Sequence, residues 1–162
     1  MKLIQNILFP HKPGSRATSC LLFLVRVSVC LAFMSHGWQK WLNFETLSAT
    51  FPDPLNVGSE ISLILSLFAE LICPVAVILG FLYRLALIPM IFTMAMAFFV
   101  IHGGDPFAAK ELAFLYFVVF TTLLLTGPGR ISTDWLITRL VLKRRDDTRF
   151  SAYTHTNLDY SK

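Results

Sequence analysis

Residues 60–80 read EISLILSLFAELICPVAVILG, and this stretch decides the fold. A helix needs ~20 predominantly apolar residues to cross ~30 Å of hydrocarbon. The stretch has that length, and one charge, Glu70, interrupts it. Three more runs of similar length flank it. Residues 17–38 are broken only by Arg26, residues 84–102 carry Pro89 about one turn in, and residues 106–127 are apolar from Leu112 onward. The predicted fold is therefore an all-α membrane protein, an antiparallel up-down bundle of four transmembrane helices with spans at 17–38, 60–80, 84–102 and 106–127. Composition agrees. The 162 residues are 55% hydrophobic and 15% charged, where soluble domains average about 25% charged. That balance argues against a disordered chain, an ordinary soluble enzyme and a nucleic-acid-binding domain. It leaves a single membrane domain.

Local punctuation sets the expected limits. Gly37 is expected to close the first span and Gly80 the second. Asp105-Pro106 reads as an N-cap followed by a first-turn proline, and Gly127-Pro128-Gly129 ends the fourth span. A secretory signal peptide fits the first span poorly. The polar lead of residues 1–16 is long, Arg26 interrupts the apolar core, and no clean small-x-small site follows.

The positive charges orient the chain. With the N-terminus in the cytoplasm, eleven of the 14 Lys and Arg fall on that side, and only Lys40 and Lys110 lie in the outer loops. Both termini are predicted to be cytoplasmic. Residues 131–145 are too short and too basic to cross, and they read as a C-terminal amphipathic helix lying on the inner interface. Its basic cluster is expected to meet anionic lipid or simply to anchor the topology. Residues 146–162 form a polar tail.

Two charges fall inside the spans. Arg26 lies ten residues before His36, and Glu70 lies ten residues after Glu60. At 1.5 Å per residue each is ~15 Å from the outer edge. The two are expected to face each other between antiparallel neighbours, because a lone charge at mid-bilayer costs at least ~2.5–3.5 kcal/mol. Such a pair either fixes helix register or makes Glu70 a proton carrier or ligand contact. Cys30 and Ser66 lie one turn from Arg26 and Glu70, and Gly37 and Lys40 continue the Arg26–Cys30–Phe33 face.

His36, Lys40, Glu60, His102, Asp105, Lys110 and Glu111 lie near the outer ends of the spans and are expected to ring one opening. Imidazoles suit proton transfer near neutral pH, so His36, His102 and Glu70 are the candidate catalytic groups. Arg26, Lys40, Glu60, Lys110 and Glu111 are the candidate binding groups. For each outer residue, the plainer reading is a wetted side chain at the interface. Two histidines make a thin metal or haem signal, and no metal site is expected. Cys20, Cys30 and Cys73 have no C-x-x-C spacing and differ in depth or lie toward a reducing side, which disfavours thiol–disulfide exchange.

These pieces together resemble the DoxX family of small four-helix membrane proteins. The resemblance runs over about residues 20–136. It rests on Arg26 with His36-Gly37 and Lys40, Gly58-Ser59-Glu60, Phe68-Ala69-Glu70 with Cys73-Pro74, and Leu79-Gly80 with Arg84. It continues through Ala97-Phe98-Phe99 with His102, Lys110-Glu111-Leu112-Ala113, and Thr126-Gly127-Pro128-Gly129-Arg130 before Ser132 and Asp134. It implies a bacterial inner-membrane protein. More distantly, the chain is similar to the DoxD-type subunit of thiosulfate:quinone oxidoreductase, which passes electrons to a membrane quinone. The chain carries no flavin, haem or iron–sulfur motif. An electron carrier would then be quinone itself, or would sit on a partner. A quinone-linked redox subunit, with a redox partner protein or a homo-oligomer around it, is the first expectation. A non-catalytic scaffold or docking subunit comes second. A transporter comes last, since no inverted repeat of broken helices is visible.

Overall fold

The computed structural model describes residues 16–128 and 132–133. The predicted interfacial helix, the N-terminal lead and the C-terminal tail lie almost wholly outside them. Five helices follow in order: α1 (Arg16–Leu42), the short α2 (Phe44–Ser48), α3 (Ser59–Leu79), α4 (Tyr83–Ile101) and α5 (Phe107–Thr126). Four of them are long and apolar enough to cross a membrane. The connections at 80–82 and 102–106 are short, and neighbours α3, α4 and α5 pack in sequence order while α1 closes the ring against α3 and α5.

The outer surface is apolar on every helix, with Leu24, Leu31, Ile61, Ile88, Phe92 and Leu115 all about half exposed. A helix apolar all round belongs in a core or a bilayer, and here the bilayer is the only solvent that fits. The bundle interior holds Cys30, Phe33, Val77, Leu87, Met90 and Phe120, each at 0–1% exposure. Phe33, Tyr116 and Phe120 form an aromatic cluster with centroids 4.9–5.7 Å apart.

Gly37 does not end the first helix, which runs on to Leu42. Its missing side chain serves packing instead. A Cβ there would sit 2.8 Å from the Glu70 Cβ and 3.0 Å from Leu71. Hydrocarbon gives no hydrophobic drive between helices, so close backbone approach at a small residue is how they hold together. Gly80 does terminate α3. It takes the left-handed conformation at φ 68°, and the following Phe81 N–H returns to the Ala76 carbonyl at 3.0 Å. Asp105 is not the cap of the last span: Pro106 takes that position, and the Asp105 carboxylate turns to His102.

Two single π turns break the regular winding, Phe68–Ile72 in α3 and Ala97–Ile101 at the end of α4. Pro74 lacks the N–H that the Glu70 carbonyl would otherwise accept, and the ladder is rerouted just before it, with Cys73 N–H bonding to the Phe68 carbonyl. π turns of this kind recur at functional sites.

Candidate functional site

Asp53 anchors the start of α3. The Asp53 carboxylate accepts the Gly58 N–H at 2.6 Å, the Val57 N–H at 3.1 Å and the Ser62 hydroxyl at 2.7 Å. These bonds tie the 49–58 loop to the first turn of α3. The Ser62 hydroxyl, and after it the loop amides, hold the Asp53 carboxyl below the usual carboxylate range. From there Ser62, Ser66 and Glu70 follow at four-residue spacing, all buried. They place three polar groups on the inward face of an otherwise apolar helix.

Glu70 meets Lys40. The Lys40 ammonium donates to Glu70 Oε1 and to Ser66 Oγ, the latter at 3.0 Å, and Ser66 Oγ donates to the same Glu70 oxygen at 2.9 Å. Glu70 is 1% exposed and Lys40 28%. Among the described residues Glu70 Oε2 has no hydrogen-bond partner. Tyr116 of α5 lies within electrostatic reach of the carboxylate. Its ring packs against Phe33 and, edge-on at 5.9 Å, against His36. Lys40 itself lies 5.5 Å from the ring of Phe51 in the 49–58 loop.

The expected Arg26–Glu70 pair does not form. Arg26 Nη1 donates to the Pro128 carbonyl at 3.1 Å, and its guanidinium lies over Phe23 and Tyr83 at 5.2 and 5.7 Å. A Cβ added to Gly80 would stand 3.3 Å from that guanidinium. Arg26 thus belongs to the level of Gly80, ten residues beyond Glu70 on α3. Two physical reasons separate the groups. First, α1 continues past His36, so Glu70 is level with Gly37 and not with Arg26. Eleven residues, or ~16 Å, lie between Arg26 and Gly37. Second, each side chain leans toward the N-terminus of its own helix. In antiparallel neighbours Arg26 leans toward the termini and Glu70 toward the 43–58 loop, so the two heads move further apart.

The expected outer ring divides into separate pieces. Lys40 is drawn inward to Glu70. His102 Nδ1 and Asp105 Oδ2 are 2.7 Å apart within the 102–106 loop, and Lys110 donates to the Gly103 carbonyl at 2.9 Å while lying over Phe98. Glu60 and Glu111 are exposed, and among the described residues neither has an ion-pair partner. His36 and His102 thus belong to different clusters. Among the described residues no group of three or more His, Cys, Asp or Glu gathers, and the cysteines are thiols. A groove of about 780 Å³ opens beside the site between the end of α1, α2 and α3, lined by Trp41, Phe44, Ile64, Phe68 and Leu71 among others.

Sequence reasoning missed three parts of this arrangement: Asp53 as the anchor of α3, the π turn around Glu70, and Lys40 as the partner of Glu70. The third had a signal. Gly37 and Lys40 are three residues apart on one helix face, so a glycine that admits α3 also brings Lys40 over it.

Fold and site define a multipass membrane protein whose bundle encloses a lysine–carboxylate pair. The sequence matches the DoxX family over residues 21–103, just over half of the chain. The protein belongs to the DoxX family. The match includes Arg26, Lys40, Ser66 and Glu70 and stops before Tyr116. The chain is also similar to an uncharacterised protein of Haemophilus influenzae, 26% identical over 127 residues that cover 74% of this chain and 84% of that protein. No solved structure matches the chain.

Proposed function

We propose that this protein is a bacterial inner-membrane subunit of a redox system that works with a membrane quinone, with both termini in the cytoplasm. One observation carries the reading: a carboxylate buried in the bundle, whose Oε1 is held by Lys40 and Ser66 while Oε2 has no partner among the described residues. An acceptor left over inside a low-dielectric site is suited to a ligand hydroxyl. The residues fit a quinol or quinone head. Glu70 accepts a hydroxyl or passes a proton, Lys40 supplies positive charge, and the rings around Tyr116 offer flat apolar walls. The quinone supplies the two-electron, two-proton chemistry, and its electrons are exchanged with a partner protein. This chain's own part is to bind the head and to hold a proton at Glu70.

Purification in mild detergent followed by solvent extraction tests this. Bound quinone is expected with the wild type and at least about tenfold less affinity in Glu70→Gln, the factor that loss of a hydrogen bond to a charged group brings. Quinone-free protein, together with no redox phenotype on deletion, removes the reading.

A second reading, a docking subunit without chemistry of its own, is favoured by the exposure of Glu60 and Glu111, which have no ion-pair partner among the described residues. Charge reversal at Glu111 would then abolish recovery of a stoichiometric partner in crosslinking and leave any quinone content unchanged.

A further inference from the structure

The two ends of the bundle treat the Glu70 carboxylate differently. Toward the 43–58 loop it is one side chain from the surface: Lys40 touches Glu70 Oε1 with its ammonium and is 28% exposed. Toward the termini it meets an apolar layer. Cys30, Phe33, Cys73, Val77, Leu87 and Phe120 are each at 0–3% exposure, and they fill the bundle between the level of Glu70 and that of Arg26. The layer is ~15 Å deep, the length of the ten residues from Glu70 to Gly80. Beyond it the bundle is closed by Arg26, bonded to the Pro128 carbonyl, and by the Tyr83 hydroxyl, which donates to the Leu123 carbonyl at 3.2 Å. Arg26 itself is at 1% exposure, so among the described residues this end of the bundle offers Glu70 no side chain that touches both it and water.

We propose that Glu70 exchanges protons with one side of the membrane only, the side that carries the 43–58 loop, and that Lys40 is the group through which the exchange runs. The step is a proton transfer without change of oxidation state. A proton arriving from water is passed by the Lys40 ammonium to the Glu70 carboxylate, and Lys40 takes another from water. The reverse sequence releases a proton to the same side. The groups that face Glu70 are Lys40 from α1, Ser66 from α3 itself and Tyr116 from α5. The titratable residues of α4, Tyr83 and Arg84, lie at its other end. His36 is one turn from Lys40 and packs on Tyr116, so it is the next titratable neighbour. The inference goes beyond the quinone reading and stands without it, because it concerns only which water the carboxylate sees.

Infrared difference spectroscopy on oriented vesicles tests it. The loop end is marked with an impermeant maleimide on Ala49→Cys, and Glu70→Gln identifies the Glu70 contribution to the protonated-carboxyl band. In vesicles with the loop end outside, external acidification is expected to raise that band. In vesicles with the termini outside, the same acidification is expected to leave it unchanged until a proton ionophore equalises the lumen. A rise in the second orientation without ionophore overturns the proposal. So does a Glu70 band that responds in neither orientation with ionophore present. In Lys40→Met the loop-side response is expected to slow by about 10²-fold, the lower range for loss of a positioned proton-transfer group. An unchanged rate overturns the role given to Lys40, and the wild-type measurement stands if that variant does not fold.

Discussion

Among the described residues the bundle buries one charged side chain toward each end, and the two are built in different ways. Glu70 keeps an oxygen that has no partner among the described residues and shares the other with a lysine that touches water. Arg26 instead spends its guanidinium on a backbone carbonyl and two aromatic faces. Both sit at 1% exposure. The difference teaches that an intramembrane charge is not by itself a functional signal. What distinguishes Glu70 is an ion-pair partner that reaches water. Arg26 sits where helix ends leave carbonyls exposed, and a cation there closes the bundle.

That contrast yields a ranked set of outcomes. The largest effect is expected at Lys40. Lys40→Met leaves the Glu70 carboxylate buried without its cation, a loss of about 3–5 kcal/mol, seen as a lower unfolding temperature in detergent. Adding Glu70→Gln should restore part of it, and failure to do so would show that the pair is not the unit that matters. Arg26→Gln comes next, at about 1.5–3 kcal/mol for a lost charge-assisted hydrogen bond. It is expected to lower stability while leaving quinone content per folded protein unchanged, whereas Glu70→Gln should lower the quinone content per folded protein. If the two variants share one phenotype, the contrast fails. Gly37→Ala follows at about 1–3 kcal/mol for overpacking, since the new methyl would stand 2.8 Å from the Glu70 Cβ. Its useful readout is a crosslink between α1 and α3, which should become less efficient as the helices part.

The smallest effect lies outside the membrane, at Asp53. Its carboxyl is held low by Ser62 and the loop amides. A carboxyl with a depressed pKa in the fold stabilises it above the unfolded value near pH ~3.9, and that contribution is lost as pH falls through the folded value. Hydrogen exchange in the first turn of α3 should therefore accelerate only in strong acid in the wild type. In Asp53→Asn it should be fast at neutral pH and lose this acid step.

Much of the fold was legible in the sequence. Four apolar runs of the right length have one solution each in a bilayer, because every backbone polar group must be satisfied within its own segment. Gly80 was readable as a helix end because the left-handed turn needs it. Gly37 was misread for the same reason. Glycine also marks close packing, and local sequence does not say which use applies. Asp105 carried a capping signature, yet His102 three residues earlier took its carboxylate. Lys40, Ser66 and Glu70 were all visible as polar residues in or near spans, but their meeting was not, since depth counted from the span ends misplaced α1 against α3 by eleven residues.

The sequence by itself determined how many times the chain crosses and that Arg26 and Glu70 are held within those crossings. Those properties follow from the solvent, and the cost of burying polar groups acts residue by residue. Only the tertiary structure decided which cation meets which carboxylate. That choice depends on how far one helix slides along its neighbour, which here brings Gly37 against Glu70 and Leu71, and on the lean of side chains toward helix N-termini. Lys40, near the edge of its span, therefore reaches Glu70, and Arg26 turns to the opposite end.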